Sequence, residues 1–414
     1  MAQRRVVVTG IGLVTPLGTG TEKTWNNLLN GVSGVAPITR FDASGMASQI
    51  AAEVKDFVPL DHFDKKSARH LDYFVQYGIV AARMAVEDST LTINSSNCDR
   101  VGVITGCGMG GLPTIEKNHS VYLDRGAKRI SPFFIPMAIP NMPSGHISMQ
   151  IGSKGPNLSL STACSAGTHA VGEAFHSIVR GSTDVVVTGG TESVICPLGV
   201  GGFASMKALS TRNDDPEKAS RPFDKDRDGF LIAEGAGMLV LEELEHALSR
   251  GATIYAEMVG AGASSDAYHI AAPPEDGNGA ARCMQNALDS AGIQAADIDY
   301  VNAHGTSTPL NDRCETAAIK SVFGEHAAKL AISSTKSMTG HALGAAGGLE
   351  AAFTAMSIKE QIAPPTMNLE TPSPECDLDY IPNVARKMEI NYAISNSFGF
   401  GGTNGVIVMK RFSA

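Results

Sequence analysis

Short apolar runs recur along the chain, and stretches with helical spacing lie between them. Residues 5–9, 101–105, 158–160, 185–188, 238–241, 300–302, 330–333 and 406–409 are strand candidates rich in Val, Ile and Leu. Most are apolar at consecutive rather than alternate positions, the mark of strands buried on both faces. With helices interleaved, this pattern predicts a mostly parallel sheet covered on both sides. A polar helix is predicted near residues 22–29. Helical spacing is clearest after Cys164, where Ala166, Ala170, Val171, Ala174, Phe175, Ile178 and Val179 share one face.

A weak internal repeat organises these elements. Residues 158–172 (LSLSTACSAGTHAVG) set above 330–344 (LAISSTKSMTGHALG) give the same sequence of apolar strand, Ser/Thr turn and small-residue helix. That register places Cys164 opposite Lys336 and His169 opposite His341. A second echo pairs residues 185–191 with the stretch before Gly401-Gly402-Thr403. The repeat predicts two similar α/β halves related by a pseudo-twofold. We divide them at 1–253, carrying the candidate nucleophile, and 254–414, carrying two candidate histidines and a Gly-rich loop.

Composition narrows the classes of function. The 414 residues are 43% hydrophobic, with 44 glycines, enough for a large core with closely packed backbones. The formal charge is −9, whereas a general nucleic-acid binder is basic. A local basic patch for an acidic partner remains compatible with that total. The seven cysteines show no CxxC spacing. The N-terminus lacks a signal-like apolar stretch, and nowhere do about 18 apolar residues run together. The expectation is a soluble, reduced, cytoplasmic protein that contacts neither membrane nor nucleic acid.

Candidate chemistry sits just beyond predicted strand ends. Cys164 lies where a strand gives way to a helix, and free N–H groups and the helix dipole there favour the nucleophilic thiolate. Read alone, a cysteine is more often a small buried hydrophobe, and the strand–Cys–helix context brings the two readings level. His304 follows the strand at 300–302 and precedes Gly305-Thr306-Ser307-Thr308, a position at the sheet edge where α/β active sites form. His341 opens the next small-residue helix, and a helix start keeps imidazole neutral and able to donate to an enolate oxygen. Lys336 is a candidate for holding a charge in this site. The glycines of residues 396–404 (NSFGFGGTN) let a backbone N–H approach a substrate oxygen, or simply make a tight hairpin with Phe398 and Phe400 as core.

Two look-alikes are set aside. Residues 106–111 (GCGMGG) fit GxGxxG, but Leu112-Pro113 make a poor start for a dinucleotide-binding helix, so close glycine packing is expected. Residues 224–229 (DKDRDG) imitate a calcium loop whose twelfth position is Gly235 rather than Glu.

Taken together, residues 162–166 (TACSA), 221–229 (RPFDKDRDG), 302–308 (NAHGTST), 335–341 (TKSMTGH) and 396–404 resemble the β-ketoacyl-acyl-carrier-protein synthases, closest to type II, of the thiolase-like superfamily. The resemblance runs from Val6 to the last strand. It implies a thiolase-like five-layered α/β/α/β/α sandwich of two pseudo-twofold halves, and a homodimer. It also implies a decarboxylative condensation in fatty acid elongation. Cys164 would carry the acyl chain, and His304 and His341 would stabilise the malonyl enolate. Backbone amides of Cys164 and Phe400 would form the oxyanion hole, with Phe400 also gating entry. Lys336 would support the network with Glu350. Thr306 and Thr308 would hold the phosphopantetheine arm, Met109 would line the acyl tunnel, and Phe398 would flank the substrate. An acidic acyl carrier protein would dock on Lys66, Arg69, Lys128, Arg129 and Lys207. No cofactor is required, although some members hold a structural monovalent or divalent cation near Asn302, Glu350, Ser395 and Asn396. The alternative is a ketosynthase of a specialised polyketide pathway. Chain-starting relatives use Cys–His–Asn, and degradative thiolases use a second Cys where residues 398–400 (FGF) stand here. Chain-length factors lack the nucleophile.

Overall fold

The computed structural model describes residues 4–413. Ten strands build the frame: β1 (Val6–Thr15), β2 (Val101–Gly106), β3 (Asn157–Leu160), β4 (Val185–Glu192), β5 (Gly235–Glu243), β6 (Ala256–Ser265), β7 (Tyr300–Asn302), β8 (Ala331–Ser333), β9 (Tyr392–Gly399) and β10 (Thr403–Lys410). The first five pair in the order β3-β2-β4-β5-β1 and the last five in the order β8-β7-β9-β10-β6. Both orders read third, second, fourth, fifth, first within their half, so the pseudo-twofold is written into the topology. β1 and β6 join the halves where Val6–Val8 face Ala256–Met258 in antiparallel register.

The sheets are mixed rather than mostly parallel. In each half the second strand runs parallel to the third and fourth, while the fifth is antiparallel to the fourth and first. Helices cover both faces, and that burial makes a strand continuously apolar whatever its direction. The edge strand β3 is also less buried than its apolar residues suggested, with Leu158 47% exposed.

Layering follows from side-chain size. The helices preceding the fourth strand of each half, α4 (Ala166–Val179) and α7 (Ala346–Glu360), form the central layer between the sheets. Their first turns meet through glycines: a Cβ on Gly167 would lie 2.7 Å from the Gly348 nitrogen. Residues 346–358 of α7 are buried on every side, as a helix with sheets above and below requires. Outer layers are formed by α1 (Tyr73–Asp88) and α3 (Met142–Ile151) on the first sheet, and by α5 (Asn278–Ala291) and α6 (Pro309–Phe323) on the second. Helix α2 (Leu112–Arg125) belongs to the insertion between β2 and β3. Among the described residues, no helix is long and apolar enough to cross a membrane.

The repeat itself has a different register from the one the sequence suggested. Two residues link β3 to a 3-10 turn at Ala163–Ser165, whereas nine residues, 334–342, link β8 to the matching turn at Leu343–Ala345. Cys164 is therefore the counterpart of Gly344, not of Lys336. Lys336 and His341 both lie on the extra segment.

Candidate active site

Cys164 sits on the 3-10 turn ahead of α4. Ala163, in the left-handed region at φ 51°, makes this turn sharp. Ser165 Oγ lies 2.8 Å from the Thr162 carbonyl and 3.0 Å from the Thr403 carbonyl, tying the turn to the β9–β10 hairpin. That hairpin reverses through Phe400, Gly401 and Gly402, and the two glycines have φ of 81° and 68°, conformations that only glycine adopts cheaply.

The thiol does not behave as its place at a helix start predicted. Burial pushes Cys164 up to about 11, overcoming the charge of Lys336 and the amides of Phe400 and of Cys164 itself. Burial outweighs the helix-start effect and favours the thiol. The same two amides are the ones the resemblance assigns to the oxyanion hole.

His304 lies two residues past the end of β7. Its backbone N–H donates to Glu315 Oε1 and that of Gly305 to Oε2, both at 2.8 Å. His341 is locked on the other side: its N–H donates to the Leu231 carbonyl at 2.7 Å and its carbonyl accepts from Ala233. The two rings meet edge to face with centroids 5.3 Å apart. Burial, and then the positive charge of Lys336, hold both imidazoles well below their ordinary value. The neutral state expected of His341 is thus present, but its cause is desolvation: His341 precedes the first residue of α7 by several positions. Lys336 is fully buried and paired with Glu350 Oε1.

Cys164, His304 and His341 line one cavity of about 500 Å³, within the range of small-molecule sites. Met109, Thr306, Thr308, Phe398 and Phe400 line it as well. The Phe398 ring stands edge-on to His304, and Phe400 lies 6.2 Å from Phe203. The hairpin exists, but both aromatics face the cavity instead of serving only as core. Thr306 and Thr308 hydroxyls are 3.1 Å apart. Exposed Lys207 also lines the cavity, which therefore reaches the surface. Lys66, Arg69, Lys128 and Arg129 are exposed but do not line it. They occupy two neighbouring surface segments, joined where His70 stacks on Phe133 at 3.7 Å.

The cation residues divide between two faces. Asn302 and Ser395 are register partners on β7 and β9. They share the inward face with Tyr300 and Ala393, toward α7 and Glu350. Asn302 Oδ1, Ser395 Oγ and Glu350 Oε2 are all buried without a partner. Asn396 does not join them: strand alternation turns its side chain outward, where its amide donates to Glu315 Oε1 at 3.1 Å.

Several working residues escaped the sequence. Glu315 carries the His304 loop, and Glu192 ties together several amides beside Cys164. Both are Glu, a residue that ordinarily signals surface. For Glu192 one signal existed, a carboxylate closing an otherwise apolar and Gly/Thr strand. Residues His269, Ala271, Ala272 and Pro273 line the cavity from a loop with no chemical motif. The glycine motif at 106–111 is close packing: a Cβ on Gly106 would lie 2.3 Å from the Ala166 carbonyl. Asp224 of the calcium-like loop accepts from Arg221, Asp226, Glu370 and Thr371, and Arg227 of that loop donates to the carbonyls of Thr308 and Pro309.

Comparison with known proteins agrees with this geometry. The family model "Beta-ketoacyl synthase, N-terminal domain" matches residues 3–247, and the corresponding C-terminal domain matches 255–370. The chain is 56% identical to a 3-oxoacyl-acyl-carrier-protein synthase 2 of Coxiella burnetii and 53% identical to one of Staphylococcus aureus, each over 99% of both chains. A β-ketoacyl synthase from Burkholderia phymatum superposes with a TM-score of 0.92 at 36% identity, over 99% of this chain and 100% of that one. A ketosynthase of a type II polyketide system, solved with its acyl carrier protein, superposes at 0.91 with 38% identity, over 99% and 100%. The thiolase-like architecture of two matched halves, the thiol–imidazole–imidazole cavity and relatives more than half identical along their whole length lead to one assignment: the chain belongs to the β-ketoacyl synthase family, acyltransferase-class condensing enzymes with a thiolase-like fold.

Proposed function

We propose that the chain elongates fatty acyl groups carried on acyl carrier protein. The observation that carries this reading is the shared cavity, where one thiol and two neutral imidazoles face the same space. The Cys164 sulfur attacks the acyl thioester carbon, loses its proton to the departing carrier thiol and keeps the acyl group. The amides of Cys164 and Phe400 hold the oxyanion of that step. Malonyl-carrier then loses carbon dioxide. His304 and His341, each neutral with one ring N–H to donate, stabilise the enolate oxygen. The enolate carbon attacks the acyl-Cys164 carbonyl, the thiolate leaves, and one proton taken up from solvent restores the thiol. Phe400, on the glycine hinge, gates the second substrate, and Thr306 and Thr308 receive its phosphopantetheine arm. Greater identity to 3-oxoacyl-acyl-carrier-protein synthases 2 (53–56%) than to the type II polyketide ketosynthase (38%) favours fatty acid elongation over the polyketide alternative.

The acidic carrier docks on Lys66, Arg69, Lys128, Arg129 and Lys207, with Lys207 at the cavity rim. The protein works in the cytoplasm as a homodimer whose halves of 1–253 and 254–414 each repeat one unit. The exposed edge strand β3, with Leu158 and the neighbouring Met149 of α3 uncovered, supplies the dimer face. A structural cation fits Asn302 Oδ1, Ser395 Oγ and Glu350 Oε2, three unpartnered buried oxygens, and would bind there to neutralise Glu350, outside the chemical steps. The docking test is charge reversal, Lys66→Glu with Arg69→Glu. We expect the KM for acyl-carrier substrate to rise at least about tenfold at low salt with kcat little changed. An unchanged KM removes this docking surface.

A further inference from the structure

The pseudo-twofold gives the nucleophile turn a counterpart. The turn Leu343–Ala345 precedes α7 as Ala163–Ser165 precedes α4, and both begin with a left-handed residue, at φ 49° and 51°. Gly344 stands where Cys164 stands. On the Cys164 side the turn's amide lies beside the sulfur with that of Phe400. On the Gly344 side the amide is already engaged, donating to Glu192 Oε2 at 3.2 Å.

Glu192 closes β4 and is completely buried. Its Oε2 also accepts the Gly108 amide at 2.7 Å. The Met109 amide lies 3.2 Å from Oε1 and 3.3 Å from Oε2. The Cys107 thiol donates to Oε1 at 3.4 Å. The backbone is shaped around this carboxylate: a Cβ on Gly108 would fall 2.7 Å from Oε2, and one on Gly344 would fall 2.8 Å from Oε2 and 2.2 Å from the Gly108 nitrogen. Converging backbone amides of this kind form an anion-binding nest, filled here by the protein's own carboxylate. Gly108, Met109 and Leu343 line the cavity beside Cys164, so the nest forms the back of the acyl site's wall.

We infer that Glu192 is a positioning residue: its carboxylate fills the oxyanion pocket of the half that has no nucleophile, and thereby pins the Gly108–Met109 wall at the width an extended acyl chain needs. The inference rests on the reading of Met109 as part of the acyl tunnel. A short acyl group occupies only the end near the sulfur, so loosening the wall penalises long chains and spares short ones.

The carboxylate is also poised to change state. Burial pushes Glu192 up to about 7 against the pull of the amides and of Cys107. The titratable groups that bear on it are the thiols of Cys107 and Cys164. Burial raises both above the ordinary thiol value, so both stay protonated from pH 6 to 8. Protonation of Glu192 weakens its hold on the amides, and tightness of the wall therefore rises with pH across this window.

The test uses the full-length enzyme with butyryl- and palmitoyl-carrier substrates. In Glu192→Gln the amide oxygen replaces Oε2, but the NH₂ then meets the Met109 N–H, donor against donor. We expect kcat/KM for palmitoyl to fall about tenfold, the scale of one lost hydrogen bond to a charged acceptor. The fall for butyryl is expected to stay under about threefold. In the unsubstituted enzyme the palmitoyl-to-butyryl ratio is expected to rise from pH 6 to 8, and in Glu192→Gln to stay flat. Chemical steps common to both substrates cancel in that ratio. An equal fall at both lengths overturns the inference, as does a flat ratio in the unsubstituted enzyme, which decides the matter even if the variant does not fold. Met109→Ala separates the underlying reading: a shifted length profile there with none in Glu192→Gln overturns the pin alone, and no shift in either overturns the tunnel reading and the pin with it.

Discussion

Replacing Lys336 with Met isolates the buried charge that bears on Cys164, His304 and His341. The ammonium is its side chain's only polar group, and it is paired with the buried carboxylate of Glu350. Lys336→Met therefore leaves a buried carboxylate without its ammonium partner. Breaking a buried pair in this way costs about 3–5 kcal/mol. With an unfolding entropy of about 2.1 cal/mol/K per residue, a loss of about 4 kcal/mol over 414 residues lowers Tm by about 5 °C. The sign of the pH dependence follows from Glu350. Burial pushes it up to about 7 even against Lys336, and losing Lys336 raises it further. A carboxyl raised in the folded state is accommodated at acid pH and penalised as pH rises through its folded value, so the penalty of Lys336→Met is larger at pH 8 than at pH 5. Adding Glu350→Gln removes the stranded charge, and the double variant is expected to recover at least about half the loss. Urea titration and thermal unfolding at both pH values provide the assay. The reasoning is refuted by a single-variant cost under about 1 kcal/mol at pH 8, by a cost that ignores pH, or by a double variant no more stable than the sum of the singles.

Three further outcomes follow. With Cys164 pushed up to about 11, its alkylation by iodoacetamide is expected to climb about tenfold per pH unit from 7 to 9, and a plateau already reached at pH 7 contradicts the burial argument. His304→Ala and His341→Ala are each expected to slow malonyl decarboxylation by about a hundredfold or more while acyl loading of Cys164 persists; equal loss of both steps counts against the division of roles. Asp184 is held down to about 2 by Arg100 and then Arg4. Its depressed value means that its contribution is complete above pH 4 and disappears as pH falls to 2, so Asp184→Asn is expected to flatten acid unfolding in that window, and an unchanged acid limb rules the contribution out.

The two-part topology and the three residues that share the cavity were legible because strand ends are where polar residues interrupt apolar runs. Cys164, His304 and His341 each follow such a run within a frame of small residues. The repeat's register was not legible, because the segment at 334–342 has the same Ser/Thr/Gly texture as the turn it lengthens. Strand direction escaped for a related reason, since burial on both faces erases alternation. A sequence shows that Cys164 begins a helix but not how deeply the sulfur is buried, and burial pushes its thiol up. It shows Ser395 beside Asn396 but not that the second faces Glu315 on the far side of the sheet. Glu192 and Glu315 were invisible because only three-dimensional convergence of backbone amides turns a Glu into a buried clamp.

The central claim is that the Cys164 sulfur carries the growing chain within reach of both imidazoles. Intact-protein mass spectrometry after mixing with acyl-carrier substrate, and again after adding malonyl-carrier, tests it directly. The prediction is one acyl mass on the unsubstituted enzyme, discharged when malonyl-carrier is added, and none on Cys164→Ala. An acyl mass on Cys164→Ala, or one on the unsubstituted enzyme that malonyl-carrier does not remove, contradicts it.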